Sequence, residues 1–137
     1  MSAQENKAII RRVFADWWTN ADLEAVDEML ADDFVCHGAE GVDSRAGIKQ
    51  LIVEFREAFP DLVETVDIVL SEGDMVACRF TARGTHKGVF MDMGPTLKSI
   101  SFTGIDIYRV VDGKITEMWY AEDLYGLRRQ IGDVHGG

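Results

Sequence analysis

Two aspartates occupy positions where a carboxyl group could act as an acid or a base. Asp123 follows an alternating stretch that carries Ile115, Trp119 and Ala121 on the same parity, and Asp106 lies in the alternating stretch before it. If the parity of Asp123 faces an interior, desolvation raises the pKa of its carboxyl group and makes the carboxylate a better proton acceptor near neutral pH. With Asp106 on the neighbouring strand, the two carboxyl groups could divide the roles of acid and base.

Both aspartates also have a purely structural interpretation. Asp123 precedes a helical pattern, and as an N-cap it would accept backbone N–H bonds, which lower the pKa of a carboxyl group. The pattern alone favours this cap. For Asp106, the pattern alone favours a solvent-facing position, with Ile105 and Ile107 in the core because they have the opposite parity.

Two histidines and a set of aromatic residues are candidates for contact with a ligand. His37 ends a short apolar stretch, and His86 lies in a loop between Gly84 and Gly88. Each imidazole could line a pocket mouth as a donor or a general base, or could be buried with its hydrogen bonds satisfied. Aromatic side chains are more often core, yet those that line an interior would suit a flat or lipophilic ligand. The candidate ligand contacts are Phe14, Trp17, Trp18, Phe34, His37, Phe55 and Trp119.

Several kinds of chemistry lack their sequence signals. There is no H-x-H, H-x-x-x-H or C-x-x-C spacing to hold a metal ion. There is also no G-x-S-x-G nucleophile motif, and neither of the glycine-rich motifs that bind nucleotides. Cys36 and Cys78 are far apart and are expected to be buried thiols in a reducing compartment. We therefore expect neither a metal nor a cofactor.

The first half of the chain has helical spacing, and so does its C-terminal end. Ser2 and Glu5 have the spacing of a capping box, which predicts a helix start near Ala3. A third helix opens near Ser44 and ends before Pro60, which lacks a backbone N–H. The expected apolar stripes are Ile10, Val13, Phe14, Trp17 and Trp18 in the first helix; Leu23, Val26 and Leu30 in the second, which begins after Asn20 or Asp22; Ile48, Leu51, Ile52, Phe55 and Phe59 in the third; and Leu124, Leu127 and Ile131 in the last, before a frayed Gly136–Gly137 end.

Alternating stretches in the second half predict strands. Asp112-Gly113 between two of them is typical of a type I′ hairpin turn. Helices followed by hairpin-linked strands indicate an α+β fold with helices on one face of an antiparallel sheet. Glycines within the long strands and their loop indicate strong curvature, hence a cone with an interior. The expected inward sets are Leu62, Val66, Ile68 and Leu70, with Glu64 as a charged exception, and Val76, Cys78, Phe80 and Ala82.

The composition limits the class of protein. With 137 residues and 47% hydrophobic side chains, the chain fits a single domain over residues 1–137, with a core and room for a pocket. A net charge of −10 repels phosphate backbones and anionic lipids, so neither nucleic acid nor a membrane is expected as a partner. The N-terminus does not resemble a signal peptide, and no apolar run is long enough to span a bilayer, so we expect a cytoplasmic protein.

Five stretches, in order along nearly the whole chain, resemble the SnoaL-like polyketide cyclases, a family of the nuclear-transport-factor-2-like (NTF2-like) superfamily. They are residues 5–33, 58–61 (AFPD), 83–88 (RGTHKG), 102–109 (FTGIDIYR) and 112–123 (DGKITEMWYAED). The resemblance implies a cone of long, bent, mostly antiparallel strands wrapped by three or four helices, commonly dimeric through the sheet. It also implies an enzyme without metal or cofactor that closes a ring by intramolecular aldol condensation of a polyketide ester. In that family one Asp after the last strand is the general acid/base, and the matching position is Asp123.

These observations support two functional hypotheses. The first is a cyclase, or a related small lyase or isomerase. In it Asp123 acts on an enolisable, apolar or aromatic carbonyl substrate, and His86, His37 or Asp106 orients that substrate. The second is a non-catalytic module, in which the cone binds a hydrophobic small molecule or serves dimerisation, and Asp123 only caps a helix.

Overall fold

The computed structural model of this protein describes residues 2–38, 42 and 44–132. The Gly136–Gly137 end lies outside the described residues. In chain order the elements are α1 (Ala3–Arg12), a π-helix (Val13–Thr19), α2 (Leu23–Met29), β1 (Leu30–Gly38), α3 (Arg45–Ala58), β2 (Val63–Glu72), β3 (Met75–Thr85), β4 (Ser99–Val111), β5 (Lys114–Glu122) and α4 (Leu124–Ile131).

The α-helices begin where their capping residues predict. Ser2 and Glu5 form the reciprocal hydrogen bonds of a capping box at the start of α1. The carboxylate of Asp22 accepts the first backbone N–H groups of α2, and the hydroxyl of Ser44 accepts the Gly47 N–H at the start of α3. Because local side-chain hydrogen bonds determine these starts, sequence spacing is enough to locate them. None of the helices in the described residues is long and apolar enough to cross a membrane.

The π-helix was not predicted, because its residues continue the apolar spacing of α1. In a π-helix the backbone hydrogen bonds join residues five apart rather than four. The bond of 3.0 Å from the Asn20 N–H to the Ala15 carbonyl oxygen has this spacing. Arg56 of α3 holds its C-terminal end by donating hydrogen bonds to the carbonyl oxygens of Trp18 and Thr19. Short π-helices frequently occur at functional sites, and this one places Phe14 and Trp18 at the cavity described below.

The five strands form one mixed sheet in the order β1-β5-β4-β3-β2. Strand β1 runs parallel to β5, and every other neighbouring pair is antiparallel. Asp112 and Gly113 have positive φ angles of 51° and 80°, as the predicted type I′ hairpin requires. Helices packed on one face of this sheet confirm the predicted α+β class.

The inward face of β4 is the opposite of the one that the sequence pattern favoured. Asp106 and Tyr108 are buried, whereas Ile105 and Ile107 are 60% and 38% exposed on the outer face. Both parities of β4 carry apolar residues, so alternation alone could not choose between them. The interpretation of Asp106 as a solvent-facing residue is therefore wrong.

In β5, the parity that carries Ile115, Trp119 and Asp123 does not face the core along the whole strand. A bulge in its pairing with β4 interrupts the alternation after Ile115, so that Ile115 and Met118 are both buried. Past the bulge, Met118 and Tyr120 point into the core while Trp119 is only half-buried and Ala121 is exposed.

A second bulge, between Val66 and Ile68, has the same effect in β2. Ile68 and Leu70, which the alternation placed inward, are 52% and 65% exposed, and Glu64 is buried. In β3, by contrast, no bulge occurs, and the predicted inward set of Val76, Cys78, Phe80 and Ala82 is confirmed.

Candidate active site

A small cavity lies between the inner face of the sheet and the helices that cover it. Its volume is about 20 Å³, which is room for roughly one water molecule. The apolar part of the lining is Phe14, Trp18, Val42, Ile48, Leu51, Phe80 and Met118, and the polar part is Glu64, Asp106, Tyr108, Tyr120 and Glu122. Among the described residues that line this cavity, none is basic, and three carry carboxyl groups.

Asp106 lies in the middle of the sheet, between Cys78 of β3 and Tyr120 of β5. It is only 6% exposed. The Tyr108 hydroxyl donates a hydrogen bond to its Oδ2 at 2.7 Å, and no described residue forms a hydrogen bond with its buried Oδ1. Burial raises the pKa of Asp106 to about 7, and the hydrogen bond from Tyr108 opposes that rise. A carboxyl group with this pKa can accept and return a proton near neutral pH.

The two groups closest to Asp106 keep their own protons. Tyr108 is buried completely, and burial together with the charge of Asp106 raises the pKa of its hydroxyl well above the usual value. Burial raises the pKa of the Cys78 thiol to about 12, with a further contribution from the charge of Asp106. Tyr108 is therefore a hydrogen-bond donor, and Cys78 is a buried thiol rather than a nucleophile.

Glu64, on β2, is a second buried carboxyl group that the sequence analysis did not select. Its backbone N–H donates to the Thr19 hydroxyl at 3.0 Å, which fixes this part of β2 beneath the end of the π-helix. Burial raises the pKa of its side chain well above the usual value, the charges of Glu122 and Asp106 raise it further, and Arg56 opposes the rise. The sequence did contain a signal, because Glu64 is the one charged residue among the same-parity positions from Leu62 to Leu70.

Asp123 is not among the residues that line the pocket, the position that it would have if its parity faced the interior. Its side chain is exposed, it accepts the Gly126 N–H at 2.9 Å, and it is the N-cap of α4. The bulge in β5 is the physical reason, because the residues that point inward beyond it are Met118, Tyr120 and Glu122. The structural interpretation of Asp123 as a helix cap is confirmed.

His86 is fully buried, but away from the cavity lining. Its Nδ1 lies 3.0 Å from the Thr96 hydroxyl and accepts the Thr96 N–H, while its ring packs beside Phe59. The structure therefore places the imidazole in the core under the loop that follows β3. The ring is buried, as one of the two alternatives expected, but only its Nδ1 has hydrogen-bond partners, and its buried Nε2 has none among the described residues.

Two of the seven predicted ligand contacts, Phe14 and Trp18, line the cavity. Trp17 and Phe55 are buried but do not belong to the lining, and the Phe55 ring packs edge-on against Trp18 at 5.9 Å. The other three, Phe34, His37 and Trp119, lie outside the lining. The His37 ring stacks on Trp119 and hydrogen-bonds Glu117, whereas Phe34 lies beneath the guanidinium group of Arg45.

The carboxyl groups of the cavity do not form a metal site. Across the residues that the structure describes, no group of three or more His, Cys, Asp or Glu side chains is arranged to hold a metal ion. The cavity itself offers the Asp106 carboxyl group, whose pKa is about 7, the Glu64 carboxyl group, whose pKa is raised well above its usual value by burial, and the Tyr108 hydroxyl, which donates a hydrogen bond to Asp106.

Residues 8–131, which include every described residue of the cavity, match the SnoaL-like polyketide cyclase family. The chain belongs to this family. The resemblance seen in the sequence is thereby confirmed, and so is the NTF2-like α+β cone that it implied.

Individual relatives agree with the family assignment. The chain is 29% identical to the nogalonic acid methyl ester cyclase of Streptomyces nogalater over 112 residues, which cover 79% of this chain and 84% of that protein. Among solved structures, AclR of Streptomyces galilaeus, a proposed hydroxylase, superposes with a TM-score of 0.90 at 31% identity, covering 99% of this chain and 86% of AclR. IdmH of Streptomyces antibioticus, a proposed polyketide cyclase, superposes with a TM-score of 0.82 at 32% identity, covering 93% of this chain and 98% of IdmH. The family and the names of the Streptomyces nogalater and Streptomyces antibioticus relatives support a cyclase function.

Proposed function

We propose that this protein closes a ring in an enolisable carbonyl compound, with Asp106 as the general acid and base. The observation that carries the proposal is the Asp106 carboxyl group itself. It is buried in an apolar cavity, its Oδ1 has no hydrogen-bond partner among the described residues, and its pKa is about 7. A buried carboxylate oxygen without a described hydrogen-bond partner, on a group with this pKa, is suited to accept a proton from a bound substrate.

The proposed reaction is an intramolecular aldol condensation. Asp106 removes a proton from the carbon beside a carbonyl group, and the resulting enolate carbon forms a bond to a second carbonyl carbon of the same molecule. The proton then passes from Asp106 to the new alkoxide, so that the enzyme returns to its starting state. Holding the two reacting carbons of the substrate close together supplies much of the rate enhancement, because they no longer have to meet by chance.

An ester of a polyketide is the substrate class that the relatives favour. The name of the Streptomyces nogalater relative contains a methyl ester, and the predominantly apolar lining is compatible with a neutral, lipophilic compound. A substrate of that size needs a pocket of roughly 300 Å³ or more, so side chains must move when it binds. Trp18 and Leu51 are half-buried members of the lining, and we infer that the substrate enters by displacing them.

Asp123 has no catalytic role in this proposal. Its carboxylate caps α4 and is exposed, whereas the acid-base chemistry requires a carboxyl group that faces the bound substrate. His86 supports the fold from within the core, because its ring is enclosed and lies outside the lining.

The first test replaces Asp106 by Asn, which has a similar shape and cannot accept the proton. Two assays apply: turnover of nogalonic acid methyl ester, followed by chromatography, and exchange of the α protons of 2-tetralone in deuterium oxide, followed by proton NMR. We expect Asp106→Asn to slow both by about 100-fold or more, which is the usual contribution of a general base. Asp123→Asn, which preserves the helix cap, is the matched control and keeps the wild-type rates.

The outcome that contradicts the proposal is equally specific. If the wild-type protein binds 2-tetralone without exchanging its protons and leaves the ester unchanged, the alternative hypothesis of a non-catalytic module for hydrophobic small molecules takes its place. If Asp106→Asn exchanges protons at the wild-type rate, Asp106 is not the base.

We further propose that the protein is a cytoplasmic homodimer that pairs through the outer face of the sheet. This face exposes large apolar side chains, namely Ile68, Leu70, Ile105 and Ile107, and exposed apolar patches of this kind mark protein interfaces. Light scattering of the purified protein is expected to give twice the 15.3 kDa chain mass. The variant Ile105→Lys, which places a charge in the middle of the patch, is expected to give a monomer, and a wild-type monomer would contradict the proposal.

A further inference from the structure

Glu64 shares the cavity with Asp106 but comes from a different strand. It is 9% exposed, on β2, and it lines the cavity together with Asp106 and Glu122. The cavity also presents the Oδ1 of Asp106, which is buried and lacks a hydrogen-bond partner among the described residues. Two carboxyl groups on separate strands therefore border the space that a bound carbonyl group would fill.

The charges around Glu64 oppose its ionisation. Within the described part of the chain, Glu64 takes part in no ion pair. Arg56 of α3, whose positive charge acts on Glu64, directs its hydrogen bonds to backbone carbonyl oxygens. The other titratable groups among the described lining residues are Asp106 and Tyr108 of β4 and Tyr120 and Glu122 of β5, with Cys78 of β3 beside Asp106, and none of them is a cation. A buried carboxyl group without a paired cation favours its protonated form. Accordingly, burial raises the pKa of the Glu64 side chain well above its usual value.

We propose that Glu64 is the neutral carboxylic acid that donates a hydrogen bond to the substrate carbonyl oxygen while Asp106 removes the α proton. This inference rests on the proposed function, and it adds a second catalytic residue to the site. It also gives two of the three carboxyl groups of the cavity opposite tasks: Asp106 accepts a proton, and Glu64 donates a hydrogen bond.

The step is balanced in protons and electrons. The C–H electron pair moves into the bond between the α carbon and the carbonyl carbon, the carbonyl π pair moves to oxygen, and the proton goes to Oδ1 of Asp106. The O–H of Glu64 shortens its hydrogen bond to that oxygen as negative charge develops there. When the enolate carbon forms the new C–C bond, the charge leaves this oxygen, Glu64 keeps its proton, and Asp106 gives its proton to the new alkoxide.

The experiment compares Glu64→Gln, which retains a neutral donor, with Glu64→Leu, which retains the approximate volume only. The probe is 2-tetralone, and its α-proton exchange in deuterium oxide is measured across pH by proton NMR. We expect Glu64→Gln to stay within about 5-fold of the wild-type rate and Glu64→Leu to lose about 100-fold, which is the usual loss for one donor to a developing oxyanion. In the wild type, the rate rises with pH as Asp106 ionises and falls at higher pH as Glu64 ionises. In Glu64→Gln the rise remains and the fall disappears, because an amide does not titrate.

A second measurement applies if Glu64→Leu does not fold. The infrared difference spectrum between wild type and Glu64→Gln at pH 7 is expected to show the C=O band of a protonated carboxylic acid in the wild type. Absence of that band overturns the inference, and so does a Glu64→Gln variant as slow as Asp106→Asn, because both mean that Glu64 works as an ion. Exchange by Glu64→Leu at the wild-type rate overturns it as well. Failure of the proposed function is distinct, since it requires Asp106→Asn to exchange protons normally.

Discussion

The hydrogen bond from Tyr108 to Asp106 joins two side chains that lie two residues apart on one strand, and so on one face of the sheet. It favours the charged form of Asp106, against a burial that favours the neutral form. Burial is the larger of the two effects, which is why the pKa of Asp106 is raised to about 7 rather than lowered. Tyr108 thereby adjusts the basicity of Asp106 without taking part in proton transfer.

Removing this hydroxyl tests the adjustment. We expect Tyr108→Phe to raise the pKa of Asp106 above about 7, because burial then acts without the opposing hydrogen bond. The rising limb of the pH profile of 2-tetralone exchange moves to higher pH by the same amount. NMR titration of the Asp106 carboxyl carbon provides a direct measurement. Tyr125→Phe, which alters an exposed tyrosine, is the control, and an unchanged profile in Tyr108→Phe would mean that the hydrogen bond does not stabilise the carboxylate.

Of the individual site residues, the sequence identified Asp106, Phe14 and Trp18 as candidates, and the structure places all three at the cavity. It did not identify Tyr108 and Glu64. The spacing of Tyr108 from Asp106 was visible, but a hydroxyl–carboxylate bond requires that both face inward, and the pattern favoured the outward face for Asp106. Glu64 was visible in the sequence as a charged residue among apolar ones. Its burial, which makes it a functional candidate, is known only from the structure.

The strands explain why the rest of the site could not be predicted. Alternation gives a face only while the register is unbroken, and single bulges in β2 and β5 reverse it partway along each strand. The reversal carries Ile68 and Leu70 outward and replaces Trp119 and Asp123 by Tyr120 and Glu122 at the cavity. Helix starts and the hairpin were predicted correctly, because each depends on residues next to one another in the chain.

The N-terminus of α4 offers a test of the role of Asp123. Asp123→Ala removes the side-chain acceptor of the Gly126 N–H and is expected to lower the free energy of unfolding by about 1 kcal/mol. Asp123→Asn retains an N-cap and is expected to lose much less. Urea unfolding of the three proteins measures both differences, and the 2-tetralone assay accompanies it. A loss of exchange activity in Asp123→Asn, at unchanged stability, would return Asp123 to the active site.

At the scale of the whole molecule, the burial of Asp106 affects the free energy of unfolding, because a buried carboxyl group is harder to ionise than one in the unfolded chain. In the folded protein the pKa of Asp106 is about 7, raised from a usual value of 3.8. Below about pH 4 the carboxyl group is neutral in both states, so its burial carries no ionic cost. As the pH rises from about 4 to about 7, the unfolded chain gives up this proton first, and the folded state loses stability relative to it.

Comparison with Asp106→Asn isolates this contribution. Relative to that variant, the wild type is expected to lose up to about 4 kcal/mol of unfolding free energy between pH 4 and pH 7. Carboxylates whose pKa is lowered by their partners, such as Asp27 and Asp61, contribute the opposite slope, but equally in both proteins. Urea unfolding at a series of pH values measures the difference. Stability curves of the two proteins that run parallel between pH 4 and pH 8 would show that Asp106 ionises as readily in the folded protein as in the unfolded chain. A carboxylate that ionises so readily would lack the basicity that the proposed proton transfer requires.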